Sequence, residues 1–409
     1  MTRVEQTIKV IRDVLLYVLL FAAAISYHPT IMRMSRAAGY ENGTILSRYI
    51  ILLFGAVFLL SISLQAIKHS KMIRFTLIWL AVITVFALFV QAFFRNSIMM
   101  RELRTFFIVL GSMMIGYDLR ADGKKYSVII LAFCLTTLFS GLMQVLVNNG
   151  GFQIANQYLA DSKNSIGAML ATVGFSFFYL YRSSDKHLMR IAYLGLALLT
   201  VVVMITIRAR MAFVALVLVG LFYYYLIKRA RGILITVIAL GAVGFLVILI
   251  MPGFVLDYLE ASFTAGTQGE DFTSGRLYTY GQTLSFLMES PLLGNIQKIN
   301  QIGWVHNYLL LKLYDFGLLF CWPIYVLYFG ILIKTIKCSM RSSSGSRECF
   351  GYVCLLLPFV ISMAEPTFPF GPGTVNMFNY ILLGISEREL YMRLKAASSP
   401  VQAIDYLRS

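Results

Sequence analysis

Two arginines, Arg208 and Arg210, lie inside the otherwise apolar stretch ITIRARMAFVALVLV, which covers residues 205–219. A charge at membrane depth is costly, so a chain seldom keeps one there without a use. The guanidinium group presents a planar fork of donors that fits a phosphate group, and it never loses its charge. The pair therefore predicts recognition of an anionic, phosphate-containing ligand.

A third arginine, Arg276, stands near the start of the segment TSGRLYTYGQTLSFLMESPLLGN, residues 273–295. Apolar residues at near-helical spacing predict a short helix with Arg276 in its first turn, and they form the stripe Leu277, Tyr280, Leu284 and Leu287. Pro291 and Gly294 should end this helix.

A histidine and an asparagine, His306 and Asn307, open the next segment, GWVHNYLLLKLYDFGLLF, residues 303–320. A neutral imidazole can accept a proton near pH 7, so His306 is a candidate general base. The alternative is a structural histidine with one backbone hydrogen bond. Asn307 either orients His306 or caps the following helix, which we expect to break at Gly317.

The elements that must hold these residues are membrane helices. The chain of 409 residues is 59% hydrophobic with a mean hydropathy of +0.76, whereas soluble domains are about 45–50% apolar. Twelve apolar runs can cross a bilayer core about 30 Å thick as helices: Val10–Ile25, Tyr49–Ile67, Ile73–Phe94, Thr105–Tyr117, Ser127–Val147, Ser165–Tyr181, Ile191–Ile207, Met211–Ile227, Ile233–Ile250, Gly317–Ile336, Cys349–Ala364 and Thr374–Ile385. We therefore expect an all-α integral membrane protein.

The distribution of lysine and arginine predicts the orientation of these helices. With the N-terminus inside, 23 of the 35 cationic residues fall on the cytoplasmic side and 12 on the outer side. Residues 1–250 would then hold spans one to nine, 251–316 a large, partly helical extracytoplasmic loop, 317–390 spans ten to twelve, and 391–409 a cytoplasmic tail. The net charge of +16 is thus mainly a topogenic signal, and we expect no nucleic-acid partner.

Arginine is unusually common on the outer side, where nine of the twelve cationic residues are arginine. This excess favours an anionic ligand at the outer leaflet. Snorkelling to lipid phosphate is the alternative for Arg33, Arg36, Arg95 and Arg101. It fits Arg208 and Arg210 less well, because the outer turn between spans seven and eight has no room to leave the membrane.

Several of these stretches resemble motifs of the O-antigen polymerase and ligase superfamily. The similar features are the Ser-Gly-Arg start of the loop helix, the proline-leucine-glycine turn, the histidine-asparagine pair, DSKNSIGAML (residues 161–170) and TIRARMAF (residues 206–213). Together they cover about residues 160–320. Ile207 stands where the family commonly has serine, and a second arginine follows, so either Arg208 or Arg210 can be the family arginine.

The resemblance implies a C-type glycosyltransferase, whose donor is a sugar chain on undecaprenyl diphosphate. Arg208, Arg210 and Arg276 would then stabilise the negative charge that develops on the diphosphate leaving group, and His306 would take the acceptor's proton. We expect no metal ion and no other cofactor.

Further polar residues are candidates for substrate binding: Asn307, Asp161, Asn164, Tyr278, Tyr280, Asp271 and Glu270. Asp161, Glu270 and Asp271 are also alternative bases, although Glu270 and Asp271 lie in the polar segment TQGEDFTSGR and fit a solvated loop as well. Tyr278 and Tyr280 fit packing, or stacking on sugar rings, better than reaction.

Three functions fit this pattern. A polymerase of O-antigen or capsule would transfer the growing glycan to a new undecaprenyl-diphosphate-linked repeat unit at the periplasmic face of the bacterial inner membrane. A ligase would transfer it to the lipid A core or to a protein. A flippase would bind the same diphosphate without reaction, but it should carry arginines within its spans. We favour the polymerase; the sequence leaves open whether a chain-length regulator protein binds.

Overall fold

The computed structural model describes residues 3–39, 44–62, 64–119, 123–148, 163–227, 276–296, 305–343 and 345–398. Within these ranges the chain forms helices and no strands. In chain order they are α1 (Arg3–Ile25), α2 (Pro29–Ala37), α3 (Leu46–Ser61), α4 (Leu64–His69), α5 (Lys71–Phe94), α6 (Ile98–Asp118), α7 (Gly123–Asn148), α8 (Lys163–Ser183), α9 (His187–Thr206), α10 (Arg210–Ile227), α11 (Arg276–Glu289), a short 3₁₀ turn (Gly294–Ile296), α12 (Tyr308–Arg341), α13 (Arg347–Ile361) and α14 (Gly373–Ser398).

Five helices in the described part of the chain are long and apolar enough to cross a membrane: α5, α7, α9, α10 and α12. Large apolar side chains stay exposed along them, such as Val85, which is 64% exposed, and Leu198, which is 59% exposed. An apolar surface of this extent suits lipid better than water. The chain is therefore an all-helical protein with helices suited to a membrane.

The other predicted spans fall on helices that are shorter or carry more charge, apart from the predicted ninth span, Ile233–Ile250, which lies outside the described residues. Several helix boundaries differ from the apolar runs. The second run is divided after Ser61, where α3 ends and α4 follows, and α14 continues to Ser398, past the predicted boundary at residue 390. A hydropathy pattern detects only the apolar part of a helix. The polar turns at the ends of a helix can face water, so the pattern does not include them.

The helix α14 packs closely against α6 and α13 because glycines remove side chains at the crossings. A Cβ atom on Gly116 of α6 would collide with the backbone of Ile381, and one on Gly384 of α14 would collide with the backbone of Met113. A Cβ on Gly351 of α13 would meet the backbone of Leu382. Small residues let membrane helices approach in this way, and α14 contributes buried residues to the apolar cores on both of its sides.

The helix α12 has two parts, divided at Gly317 as predicted, where φ is 60° and ψ is 178°. A side chain there would collide with the carbonyl of Leu292, so glycine is required both by the backbone angle and by the space. The amides after the break are not left unpaired. Leu318 N donates to Pro291 O at 2.9 Å, and Leu319 N donates to Leu292 O at 3.0 Å. The predicted Pro-Leu-Leu-Gly turn therefore caps the second part of α12.

A buried ion pair holds the first part of α12 against α6. Lys312 is 3% exposed, and its Nζ lies 2.7 Å from Glu102 Oε1 on α6 and 4.0 Å from Asp315 Oδ2. The same Nζ lies 5.2 Å from the centroid of the Tyr308 ring. The pair fixes the direction of the helix that follows His306.

We expect Lys312→Met to destabilise the protein, because it leaves the carboxylates of Glu102 and Asp315 without their cation. Breaking a fully buried pair costs about 3–5 kcal/mol. Glu102 is partly exposed, so a loss on the order of 2 kcal/mol is expected. Thermal unfolding in detergent measures it, and Lys337→Met, an exposed lysine of the same helix, is the control. Equal unfolding temperatures in both variants would contradict a structural role.

The bundle has two chemically different ends. At one end lie the starts of α8, α11 and α12, the α9–α10 turn and the α13–α14 loop. At the other end Arg12 pairs with Asp118, Lys125 pairs with Asp13, and Arg393 pairs with Glu348 at 3.0 Å. The residues expected to react therefore share one end.

Candidate functional site

A buried carboxylate, Glu365, lies at the centre of the first end, in the loop between α13 and α14. It is 6% exposed. Arg276 Nη2 donates to Glu365 Oε1 at 3.3 Å, and His306 Nδ1 lies 4.0 Å from Glu365 Oε2. The side chain of Asn164 also donates a hydrogen bond to this carboxylate. Three residues predicted from separate motifs thus converge on a residue that was not predicted.

The α9–α10 turn places Arg208 and Arg210 beside the same centre. Arg208 adopts a left-handed backbone with φ of 56°, and its side chain is buried at 2% exposure. A residue other than glycine seldom takes this conformation unless the surrounding structure requires it. The turn lies so close to α8 that a Cβ atom on Gly167 would collide with Ala209. The absence of a side chain at Gly167 permits this approach. The Asn-x-x-Gly stretch therefore contacts two parts of the site: Gly167 lies against the turn, and Asn164 donates a hydrogen bond to Glu365.

A fourth cation, Lys163, lies at the start of α8, two residues before the predicted sixth span. Burial, together with Arg210, Arg208 and Arg276, lowers the pKa of Lys163 to about 8, and the nearby Glu365 opposes this shift. The three arginines, which come from two separate motifs, therefore act on a common point. With one carboxylate among four cations, the described site carries an excess of positive charge that suits a multiply charged anion.

Burial raises the pKa of Glu365 to about 7, although Arg276 and Lys163 and the hydrogen bonds from Asn164 and Arg276 favour its ionised form. Desolvation raises the pKa of this carboxyl group by more than these partners lower it. The shift has a consequence for stability. Because the folded pKa lies above the ordinary value of 4.5, the protonated form stabilises the fold, and this contribution is lost as pH rises between 4.5 and about 7.

His306 lies at the mouth of the site, where its surroundings favour the neutral imidazole. Burial, then Arg276 and Lys163, lower its pKa below the usual 6.5. Tyr280 donates its hydroxyl to the backbone carbonyl of His306 at 2.6 Å, which fixes the main chain there. The His306 side chain is 34% exposed, against 8% for that of Glu365, so the imidazole is the more accessible of the pair.

Asn307 caps α12, which is one of the two roles predicted for it. Its Oδ1 accepts from Leu310 N at 2.9 Å, while its Nδ2 donates to Met363 O at 3.0 Å. Tyr308 N also donates to Ser362 O at 3.0 Å. These bonds tie the start of α12 to the loop that carries Glu365, so they set the distance between Glu365 and His306.

Within the described residues α11 spans Arg276–Glu289 and ends before Pro291 as predicted, while the predicted cap Ser274 lies outside them; the buried face of α11 differs from the predicted stripe. Leu284 is 54% exposed, whereas Phe286 and Leu287 are buried. The reason is that Phe286 packs on Tyr314 of α12, with ring centroids 5.2 Å apart, and this contact sets the rotation of the helix. Tyr278 is exposed, and its hydroxyl accepts a hydrogen bond from Gln282 Nε2. Its ring is therefore accessible to a ligand.

Three predicted residues, Asp161, Glu270 and Asp271, lie outside the described residues. The structure therefore brings together Arg208, Arg210, Arg276, His306 and Asn164, and it gives Asn307 and Tyr280 positioning roles. Two residues escaped the sequence prediction. Lys163 precedes Asn164 in the DSKNSIGAML stretch, and Glu365 is an acidic residue in the short loop EPTFPFGPG, which holds no lysine or arginine. An isolated acid between two apolar runs was the signal that could have identified it.

Comparison with known proteins adds no assignment: no family model matches the chain, and no curated protein is significantly similar to it. The function must therefore be inferred from the chemistry of the site.

Proposed function

We propose that the chain is a glycosyltransferase that uses an undecaprenyl-diphosphate-linked oligosaccharide, and specifically a polymerase of O-antigen or capsule. The observation that carries the proposal is the grouping of Arg208, Arg210 and Arg276 around Lys163, beside the buried Glu365 and the partly exposed His306. Cations suit a diphosphate leaving group. A neutral histidine backed by a carboxylate suits the activation of a sugar hydroxyl.

In the proposed reaction, an acceptor hydroxyl oxygen forms a bond to the anomeric carbon of the donor sugar. The bond between that carbon and the diphosphate oxygen breaks, and its electron pair leaves with the diphosphate. The acceptor proton passes to Nε2 of His306, the ring nitrogen that does not face Glu365. Arg276 and the other cations stabilise the charge on the leaving group, so the barrier falls.

Glu365 is assigned a positioning role behind His306. A carboxylate near Nδ1 favours the tautomer with its proton on that nitrogen, which leaves Nε2 free to accept. It also stabilises the imidazolium that forms when His306 takes the proton. The distance of 4.0 Å between His306 Nδ1 and Glu365 Oε2 is longer than a hydrogen bond, and such contacts often shorten when a substrate binds.

The proposed location is the bacterial inner membrane, with both termini in the cytoplasm and the site at the periplasmic face. Its support is the separation of the two ends of the bundle and the excess of lysine and arginine on the side of the N-terminus. A lipid-linked oligosaccharide on the outer leaflet would then reach the cations from the membrane, and the membrane lipid itself is a further partner.

Cysteine labelling tests this orientation. In a chain whose five native cysteines are replaced, Tyr278→Cys at the site end and Met340→Cys at the other end are both exposed. We expect a membrane-impermeant maleimide to label Tyr278→Cys in cells with a permeable outer layer, and Met340→Cys only after lysis. The reverse pattern would place the site in the cytoplasm and overturn the proposal.

A reconstitution experiment tests the function. The purified protein is given one synthetic undecaprenyl-diphosphate repeat unit as its sole substrate, and we expect dimers and longer oligomers on the lipid. Transfer only after lipid A core or a protein is added would identify a ligase. Movement of the lipid across vesicles without new glycosidic bonds would identify a flippase. Adding a chain-length regulator protein to a working polymerase would show whether that partner acts on product length.

A further inference from the structure

A cluster of five cations lies at the end of the bundle opposite to the candidate site. Lys71 and Arg74 lie one turn apart at the start of α5, while Lys334, Lys337 and Arg341 lie on one face at the end of α12. Lys334 Nζ donates to the Lys71 carbonyl at 3.4 Å, which joins the two groups. The five residues are called the α5–α12 cluster below.

Lys334 is held in this cluster by an aromatic ring. Its Nζ lies 3.7 Å from the centroid of Phe75, within the range of a cation–π contact. The ring can lie between the two helices because Gly330 has no side chain, and a Cβ there would collide with it. Lys334 precedes Arg341 by seven residues, so it lies about 10 Å deeper along the helix. The cluster thus extends from the end of the bundle toward its apolar middle.

The charge of the cluster is not neutralised by ion pairs within the described part of the chain, since none of its five residues is paired with a carboxylate there. Glu387 acts on Lys334 through space. Its carboxylate, however, accepts hydrogen bonds from the hydroxyls of Ser70 and Tyr352. The cluster therefore keeps a net positive charge that attracts an anion.

Exposed apolar side chains lie next to these cations. Ile78 on α5 is 55% exposed, and Ile333 on α12 is 48% exposed. A ligand with a negatively charged head and apolar chains matches both features, and basic pockets between membrane helices are suited to such lipids. We propose that the α5–α12 cluster binds the headgroup phosphate of an anionic phospholipid in the leaflet opposite to the candidate site.

Binding of lipid to the purified protein tests the proposal without any assay of activity. Native mass spectrometry in detergent measures retention of phosphatidylglycerol and of phosphatidylcholine. We expect wild-type protein to retain phosphatidylglycerol preferentially. Each removed cation should weaken its binding about fivefold, so Lys334→Gln/Lys337→Gln should weaken it about 30-fold.

A matched control comes from the start of α9, which also lies at this end. Lys186 and Arg190 are exposed there, and the helix they begin packs against α8 and α7. Lys186→Gln/Arg190→Gln should change phosphatidylglycerol binding by less than about twofold. A second test variant, Lys337→Gln/Arg341→Gln, changes only exposed residues near a helix end, so folding is preserved, and it too should weaken binding about 30-fold.

Three results would overturn the proposal. The first is equal weakening in the α9 control, which would mean that only the general positive field attracts the lipid. The second is undiminished phosphatidylglycerol binding in both α5–α12 variants. The third is displacement of the lipid by millimolar inorganic phosphate, which would indicate a site for a free anion.

Discussion

Arg276→Lys is expected to lower turnover on the order of 10²-fold while the protein stays folded. Loss of one preorganised donor to a developing anion has an effect of this size. Lysine keeps the charge, but its ammonium group cannot reproduce the planar fork that Arg276 directs into the site. In the structure Arg276 Nη2 already contacts Glu365 at 3.3 Å, so the substitution also changes the partner of the carboxylate.

The measurement is single-turnover transfer from a lipid-linked donor, with thermal unfolding of each variant in detergent. Arg104→Lys is the matched control, because Arg104 is an exposed arginine near the start of α6 at the same end of the bundle. It should retain nearly full activity. Wild-type turnover in Arg276→Lys would remove Arg276 from the proposed diphosphate clamp.

Glu365→Gln is expected to lower turnover by about 10²–10⁴-fold, the range typical of general acid–base catalysis. Glutamine keeps the size and the hydrogen-bonding capacity of the side chain but cannot stabilise an imidazolium. Above pH 7 the variant should be at least as stable as the wild type, because it no longer buries an ionised carboxylate. Loss of activity together with unchanged or higher stability separates a functional role from a structural one.

The pH dependence of kcat/KM gives a second test of the role of Glu365. The wild-type kcat/KM should rise with pH through an apparent pKa of about 7, because Glu365 must be ionised and its pKa is raised to about 7. In Glu365→Gln the residual activity depends on His306 alone, whose pKa lies below 6.5. The rising limb should therefore move to lower pH.

His306→Gln completes this test. It removes the proposed proton acceptor and should lower turnover by about 10²–10⁴-fold as well. If it instead retains wild-type activity with an unchanged pH profile, His306 is not the base. If Glu365→Gln keeps the rising limb near pH 7, Glu365 does not control the ionisation that activity requires.

The sequence by itself predicted the all-helical class of the fold, its apolar helices, and most of the residues that the structure brings together at one end. Apolar runs predicted membrane helices because a helix must satisfy its own backbone hydrogen bonds in lipid, and this constraint is visible in hydropathy. Gly317 predicted the break in α12, because glycine removes the side chain that an unusual backbone angle would strain. Arg276 at the start of α11 followed from the local spacing of apolar residues.

Tertiary structure alone decided which residues meet. Glu365 lies 59 residues after His306 in the sequence, in a different loop, and no local pattern relates the two. Their contact depends on hydrogen bonds that cross between α12 and the α13–α14 loop, such as that from Asn307 Nδ2 to Met363 O. The pKa of Glu365 depends likewise on burial among α8, α11 and α12. Desolvation is set by all the neighbours in space, so it cannot be deduced from residue types along the chain.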